Sequence, residues 1–330
     1  MSGLNRRQHL PAVVVAVLVT VMAGLASTPN ASGASGHPSP RSVVRNGVIA
    51  FGLDPGSGER IMTVNPDGSH LRTLVRYRHG AANDPAWSLT GRRLAYAKIT
   101  DQGCHIILAR RDATHRRDLT GQRTGCEQSP VFSPNGRRIL FVEQRCGACR
   151  LWIAGMDLRG GHRHRILAVG AHRELGSIAL SPDGRRIAFE STNASRPYRR
   201  ALLVAGRDGT HLHTLVPGQL DVGVHFDWSA TGRWLVYTRW SESPPGHEAN
   251  VALISPDGTR HRRLTHVDTP GRAAGGATFS PDGRKVVYRF ANLDKERYFL
   301  CTMRVDGTHK RRLMEFPETP EENAWAPRVG

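Results

Sequence analysis

Long apolar runs are almost missing from this 330-residue chain, as are several motifs that mark common protein classes. Only Ala12–Leu25 approaches membrane length, which argues against a multi-span membrane protein. No sustained helical period is present, so a helical body is not expected. A Gly-x-x-x-x-Gly-Lys phosphate loop and a Gly-x-Gly-x-x-Gly dinucleotide turn are absent, and His247-Glu248-Ala-Asn-Val lacks the second histidine of a zinc protease. Lysine is confined to Lys98, Lys285, Lys295 and Lys310. Acids are scarce too: 28 Asp+Glu face 46 Lys+Arg, a formal charge of +18 carried nearly all by arginine. That balance suits anionic partners. No basic stretch interleaved with aromatics accompanies it, so nucleic acid is not an expected partner.

What is there begins with an export layout. Arg6-Arg7 stand in an acid-free start, the apolar run Ala12–Leu25 follows, and Gly24-Leu25-Ala26 offers small residues before a cut at Ser27. We expect a signal peptide over 1–26, a Pro/Ser/Gly-rich linker over 27–45 and one folded body over 46–330. No cysteine follows the run, so a lipoprotein anchor is not expected, and membrane contact would come only through an uncleaved signal. The predicted location is secreted or in the cell envelope.

The body repeats itself. PAWSLTG (85–91), PVFSPNG (130–136), IALSPDG (178–184), FDWSATG (226–232) and ATFSPDG (277–283) recur at intervals near 48 residues. Behind each comes an aliphatic–aromatic pair: Leu94/Tyr96, Ile139/Phe141, Ile187/Phe189, Leu235/Tyr237 and Val286/Tyr288, with Ile49/Phe51 as a sixth copy. A second turn follows at Asp67, Asp112, Asp157, Asp208, Asp257 and Asp306, and three residues before it stand Val64, Ala109, Ala154, Ala205, Ile254 and Met303. Five residues before it stand Met62, Ile107, Trp152, Leu203, Ala252 and Cys301. Strands apolar on both faces must be covered on both. Asp-Gly and Asn-Gly turns supply the positive φ of tight hairpins. The pattern predicts an all-β fold, a six-bladed β-propeller of four-stranded blades. Asn323-Ala-Trp-Ala-Pro327 reads as the strand missing from the first blade, closing the ring from the C-terminus.

PVFSPNGRRILF, LSPDGRRIAFES and ATFSPDGRKVVY, each followed by a strand and a DGTHxRRL-like segment, resemble the WD-like repeats of the TolB family over residues 46–328. Propellers of prolyl-oligopeptidase-type enzymes look similar, but no Gly-x-Ser-x-Gly elbow is present, so peptidase activity is not expected. TolB itself resembles a two-domain protein with an α/β domain ahead of the propeller. Only a linker precedes the repeats here, so a Tol–Pal role is not expected.

Four cysteines fall in blades 2 and 3. Disulfides Cys104–Cys126 and Cys146–Cys149 are the simplest pairing for an exported chain, with zinc or a redox role as alternatives. Cys301 is expected to be a buried free thiol. His70, His115, His162, His211, His261 and His309 recur after the second turn and read as exposed blade-edge residues, dispersed too widely to share one ion. At the mouth of the axial channel the candidate ligand-binding residues are Asp84, Gln128, Glu174, Asp221, His225 and Asn323. No catalytic residue, metal or cofactor is assigned. The reading is a monomeric, non-enzymatic platform for an envelope or extracellular protein or ligand. Its alternatives are a lyase or lactonase on an anionic sugar, because some TolB-like propellers resemble oligogalacturonate lyases, and an electrostatic binder of anionic wall polymers.

Overall fold

The structure is a computed structural model that describes residues 45–54, 58–121, 125–145, 150–169, 173–193, 196–217, 222–240, 249–318 and 320–328. Its strands form six antiparallel four-stranded meanders, numbered here as blades 1 to 6. Single parallel bridges, Cys104 to Cys126 and Ala249 to Ala273, join blade 2 to blade 3 and blade 5 to blade 6. The first strands of successive blades touch in cyclic order, the sixth against the first, so the meanders form a propeller. Blade 1 draws three strands from Asn46–Val75 and its innermost one from Glu321–Pro327, where Ile49 pairs with Trp325. The predicted closure by a C-terminal strand is what the register shows.

The aliphatic–aromatic pairs explain the stacking. Ile49/Phe51 and their five counterparts are buried, and so are the residues between them, Ala50, Ala95, Leu140, Ala188, Val236 and Val287. Successive side chains of a strand point to opposite faces. Each second strand therefore feeds two cores, and every core is shared by neighbouring blades. Ala95 and Ile106 of blade 2 pack with Ile139 and Phe141 of blade 3, and Leu140 and Ile153 of blade 3 pack with Ile187 and Phe189 of blade 4. The last such cluster joins Val287 and Leu300 of blade 6 to Ile49 and Phe51 of blade 1, which completes the ring.

The first turn is built by its serine and its acid. Ser181 Oγ donates to Asp183 Oδ1 (2.6 Å) and accepts from the Arg186 amide (2.9 Å), while Gly184 takes φ 69°. Ser133–Asn135 and Ser280–Asp282 repeat the arrangement. After the second turn, five of the six recurring histidines, all but His261, adopt φ between 50° and 55°. Histidine tolerates this left-handed region better than most residues. Four of those rings also bond the preceding hydroxyl, as His211 does to Thr210 (2.7 Å).

Blade 3 departs from the sequence reading. Ile139 pairs with Met156, as Leu94 does with Ala109, so Met156 and Ala154 hold the positions expected for Ala154 and Trp152. The turn glycine is Gly160 (φ 81°), and Arg159 stands where the other blades carry aspartate. A slip of two residues keeps every side chain on its face, which is why the apolar pattern concealed it.

Cys104 and Cys126 form a disulfide with a Cα–Cα distance of 4.2 Å, pinning blade 2 to blade 3. Cys146 and Cys149 lie outside the described residues. Cys301 is free and buried, and burial pushes its thiol up to about 11. Among the described residues, no helix is long and apolar enough to cross a membrane.

Candidate functional site

Every innermost strand is interrupted by a bulge at the same level. In blade 2, Asn83 faces Ala97 and Ala86 faces Ala95, leaving one extra residue at Asp84-Pro85. The same one-residue excess occurs at Ser129-Pro130, Gly176-Ser177 and Gly276-Ala277, and blade 5 has two extra residues between Val222 and Phe226. Bulges bend the strand and re-aim side chains. Asp84 and Ser129 reach φ 52° to do so.

The bulged strands enclose an axial cavity of about 250 Å³ that all six blades line. Asp84, His225 and Asn323 border it, as do Asp227 and Thr278. Much of this polar chemistry ties one blade to the next. Asp84 Oδ2 accepts from the Ser129 amide (2.7 Å) and hydroxyl (3.3 Å), and Asn323 Nδ2 donates to the Gly276 carbonyl (2.6 Å). Asp227 Oδ2 accepts from Thr278 Oγ1 (2.7 Å) and the Phe279 amide (2.9 Å). Trp228 Nε1 donates to the Ala179 carbonyl at 3.3 Å.

Two further polar groups border the cavity. The Asn323 amide is oriented by its donor bond to Gly276, and its Oδ1 is buried with no hydrogen-bond partner among the described residues. A buried acceptor left in that state is costly unless something donates to it. His225 is held well below the usual imidazole range, first by burial and then by the Arg289 guanidinium, so its ring is neutral at pH 7. Burial raises Asp227 above the ordinary carboxylate value despite its three hydrogen bonds.

Of the six candidates read from the sequence, Asp84, His225 and Asn323 meet at this cavity. Gln128 sits one residue before its bulge and is not among the lining residues. The backbone of Glu174 pairs with Thr192, but its side chain and all of Asp221 lie outside the described residues. The sequence reading missed Asp227, whose counterparts Ala86, Val131, Ala179, Thr278 and Ala324 are small or apolar with Thr278 the one polar exception; a lone acid in that column was the available clue. Among the described residues, no three His, Cys, Asp or Glu side chains converge as metal ligands.

Solved structures with this fold differ widely in what they do. TolB from Acinetobacter baumannii superposes with TM-score 0.66 at 23% identity, covering 86% of this chain and 67% of that one. A chain of a nidogen/laminin complex gives 0.62 at 13% identity, covering 84% of this chain and 98% of its own length. An oligogalacturonate lyase in complex with manganese gives 0.53 at 14% identity, covering 83% and 74%. At such identities the likeness is one of fold. No curated protein matches the sequence. The profile of the TolB beta propeller domain matches residues 43–329, nearly all of the repeat body, and the chain belongs to that family.

Proposed function

We propose that this protein is an exported, non-enzymatic binding platform that receives a protein segment or small ligand at the mouth of its axial channel. The observation that carries the reading is the cavity bordered by all six blades, with the Asn323 carbonyl oxygen buried and without a partner among the described residues, and a neutral His225 also in its lining. A rigid ring with preset polar groups loses little entropy on binding. Asp84, His225 and Asn323 form the described part of the recognition surface, and Gln128, Glu174 and Asp221 are the further candidates read from the sequence. The Cys104–Cys126 disulfide and the apolar leader favour a secreted or envelope location, with the protein monomeric.

The test is retention of envelope components on the immobilised protein at low and then high salt, with wild type beside His225→Ala and Asn323→Asp. A discrete component that survives high salt and is lost in both variants, with unchanged melting, supports the platform. Retention that ignores both variants removes the channel from the interface.

A lyase or lactonase role on an anionic sugar is the second reading, favoured by His225 lying close to the Arg289 guanidinium. Turnover of oligogalacturonate in the presence of manganese would replace the platform with that reading.

A further inference from the structure

In a four-stranded blade the first and second turns lie on one face, and the hairpin between the middle strands lies on the other with the link to the next blade. The turn face carries a groove of about 710 Å³ between blades 2 and 3, lined by Arg93, Arg110, Arg117, Arg137 and Arg159. Among the described residues none of the five forms an ion pair with a carboxylate. The acid nearest in sequence to Arg110, Asp112, turns Oδ1 to the Thr114 amide (3.1 Å) and hydroxyl (2.6 Å). Among the described residues Asp157 is the only carboxylate lining the groove, and it accepts from the Arg159 amide (2.8 Å), the Gly161 amide (2.9 Å) and His162 (2.7 Å).

The strand registers make this groove unlike its repeats. The five positions in the next cleft, between blades 3 and 4, hold Arg138, Asp157, His164, Arg185 and Asp208, two of them acids. The fifth position is aspartate in every other cleft: Asp67, Asp112, Asp208, Asp257 and Asp306. The two-residue slip of the blade 3 turn replaces that acid with Arg159 and buries the displaced carboxylate's bonding capacity in its own turn. Arg117 Nη2 donates to the Arg159 carbonyl (2.9 Å), which holds the two blades' walls of the groove together.

We propose that the groove between blades 2 and 3, on the turn face, is a binding site for a multivalent phosphate-bearing anion. Guanidinium forks match phosphate oxygens two at a time, and phosphate places more charge and more acceptors in this volume than carboxylate does. Five arginines gathered around a single carboxylate that is engaged in its own turn gain most when an anion neutralises several of them at once.

Tripolyphosphate is the probe, titrated calorimetrically into the whole folded protein at low and moderate salt. Arg159→Asp restores the residue that the other blades use, so the fold is expected to survive it. It should weaken binding at least about tenfold, in line with the loss of one charged hydrogen bond and the gain of a repelling acid. Arg137→Ala should weaken it several-fold. Arg185→Ala removes an equally exposed arginine from the next cleft and should change affinity less than about twofold if the site is local. Absence of tripolyphosphate binding, or equal weakening by Arg185→Ala and Arg159→Asp, overturns the proposal.

Discussion

Asp227 and Thr278 face each other across the seam between blades 5 and 6, the carboxylate accepting the hydroxyl's hydrogen bond at 2.7 Å. The same oxygen accepts from the Phe279 amide, so one side chain satisfies two donors of the next blade. Asp227→Ala strands both and is expected to cost about 1–3 kcal/mol, and Asp227→Asn, which keeps an acceptor, clearly less. Denaturant titration reads the difference. Because burial raises its pKa, ionisation of Asp227 works against the fold as pH climbs through that value, and the asparagine variant loses that slope.

The disulfide joins residues 22 apart. Closing a loop of that length stabilises by roughly 3 kcal/mol on the chain-entropy account. Cys104→Ser with Cys126→Ser should lower the thermal midpoint by roughly 5–10 °C. Calorimetry checks this, and adding reductant to the wild type should give a comparable fall.

Turn aspartates set the acid limit. Asp157 is held down to about 2 by His162 and the Arg159 and Gly161 amides, and Asp257 to about 2 by Ser255 and Thr259. Their folded values lie below the unfolded ones, so their contribution is complete above the usual carboxylate range and disappears as pH falls through the folded values. Thermal midpoints should drop steeply between about pH 4 and pH 2, and Asp257→Asn should flatten part of that drop.

The left-handed histidines permit a conformational test. His211→Gly should be close to neutral, since glycine enters φ 53° without strain, whereas His211→Val should cost about 1–2 kcal/mol. Urea midpoints distinguish the pair.

Arg163 bridges two buried acids, at 2.6 Å to Glu127 and 3.2 Å to Glu143, which are 2% and 1% exposed. Arg163→Met leaves Glu127 without its ion-pair partner and Glu143 with one fewer, and should cost about 3–5 kcal/mol. Combining it with Glu127→Gln should recover part of the loss, measured by the same unfolding curves.

The propeller was legible because a repeat near 48 residues multiplies a weak local pattern six times. Gly184 with Ser181 and Asp183, or Ile187 with Phe189, says little alone and much when repeated. The two-residue slip at Arg159 escaped notice because it preserves the apolar alternation, and only strand pairing resolves it. Asp84 and Asn323 were found as polar residues at the start of inner strands, but their bonds to Ser129 and Gly276 belong to neighbouring blades and leave no trace in local sequence. The arginine groove depends on which turn faces which across a seam, a relation that register creates.

The closing strand has a consequence in time. Trp325 donates to the Gly47 carbonyl across 278 residues of chain, so blade 1 cannot be completed until the chain has been made through that strand. Contacts at such separation are the slow ones in folding, since their closure entropy is paid before they reward it. Asn323 rides on that strand, and with it one wall of the channel. The five later blades can assemble from neighbours as the chain emerges, but the ring closes only once residues 321–327 dock, so a chain stopped short of them holds a cavity open along one seam.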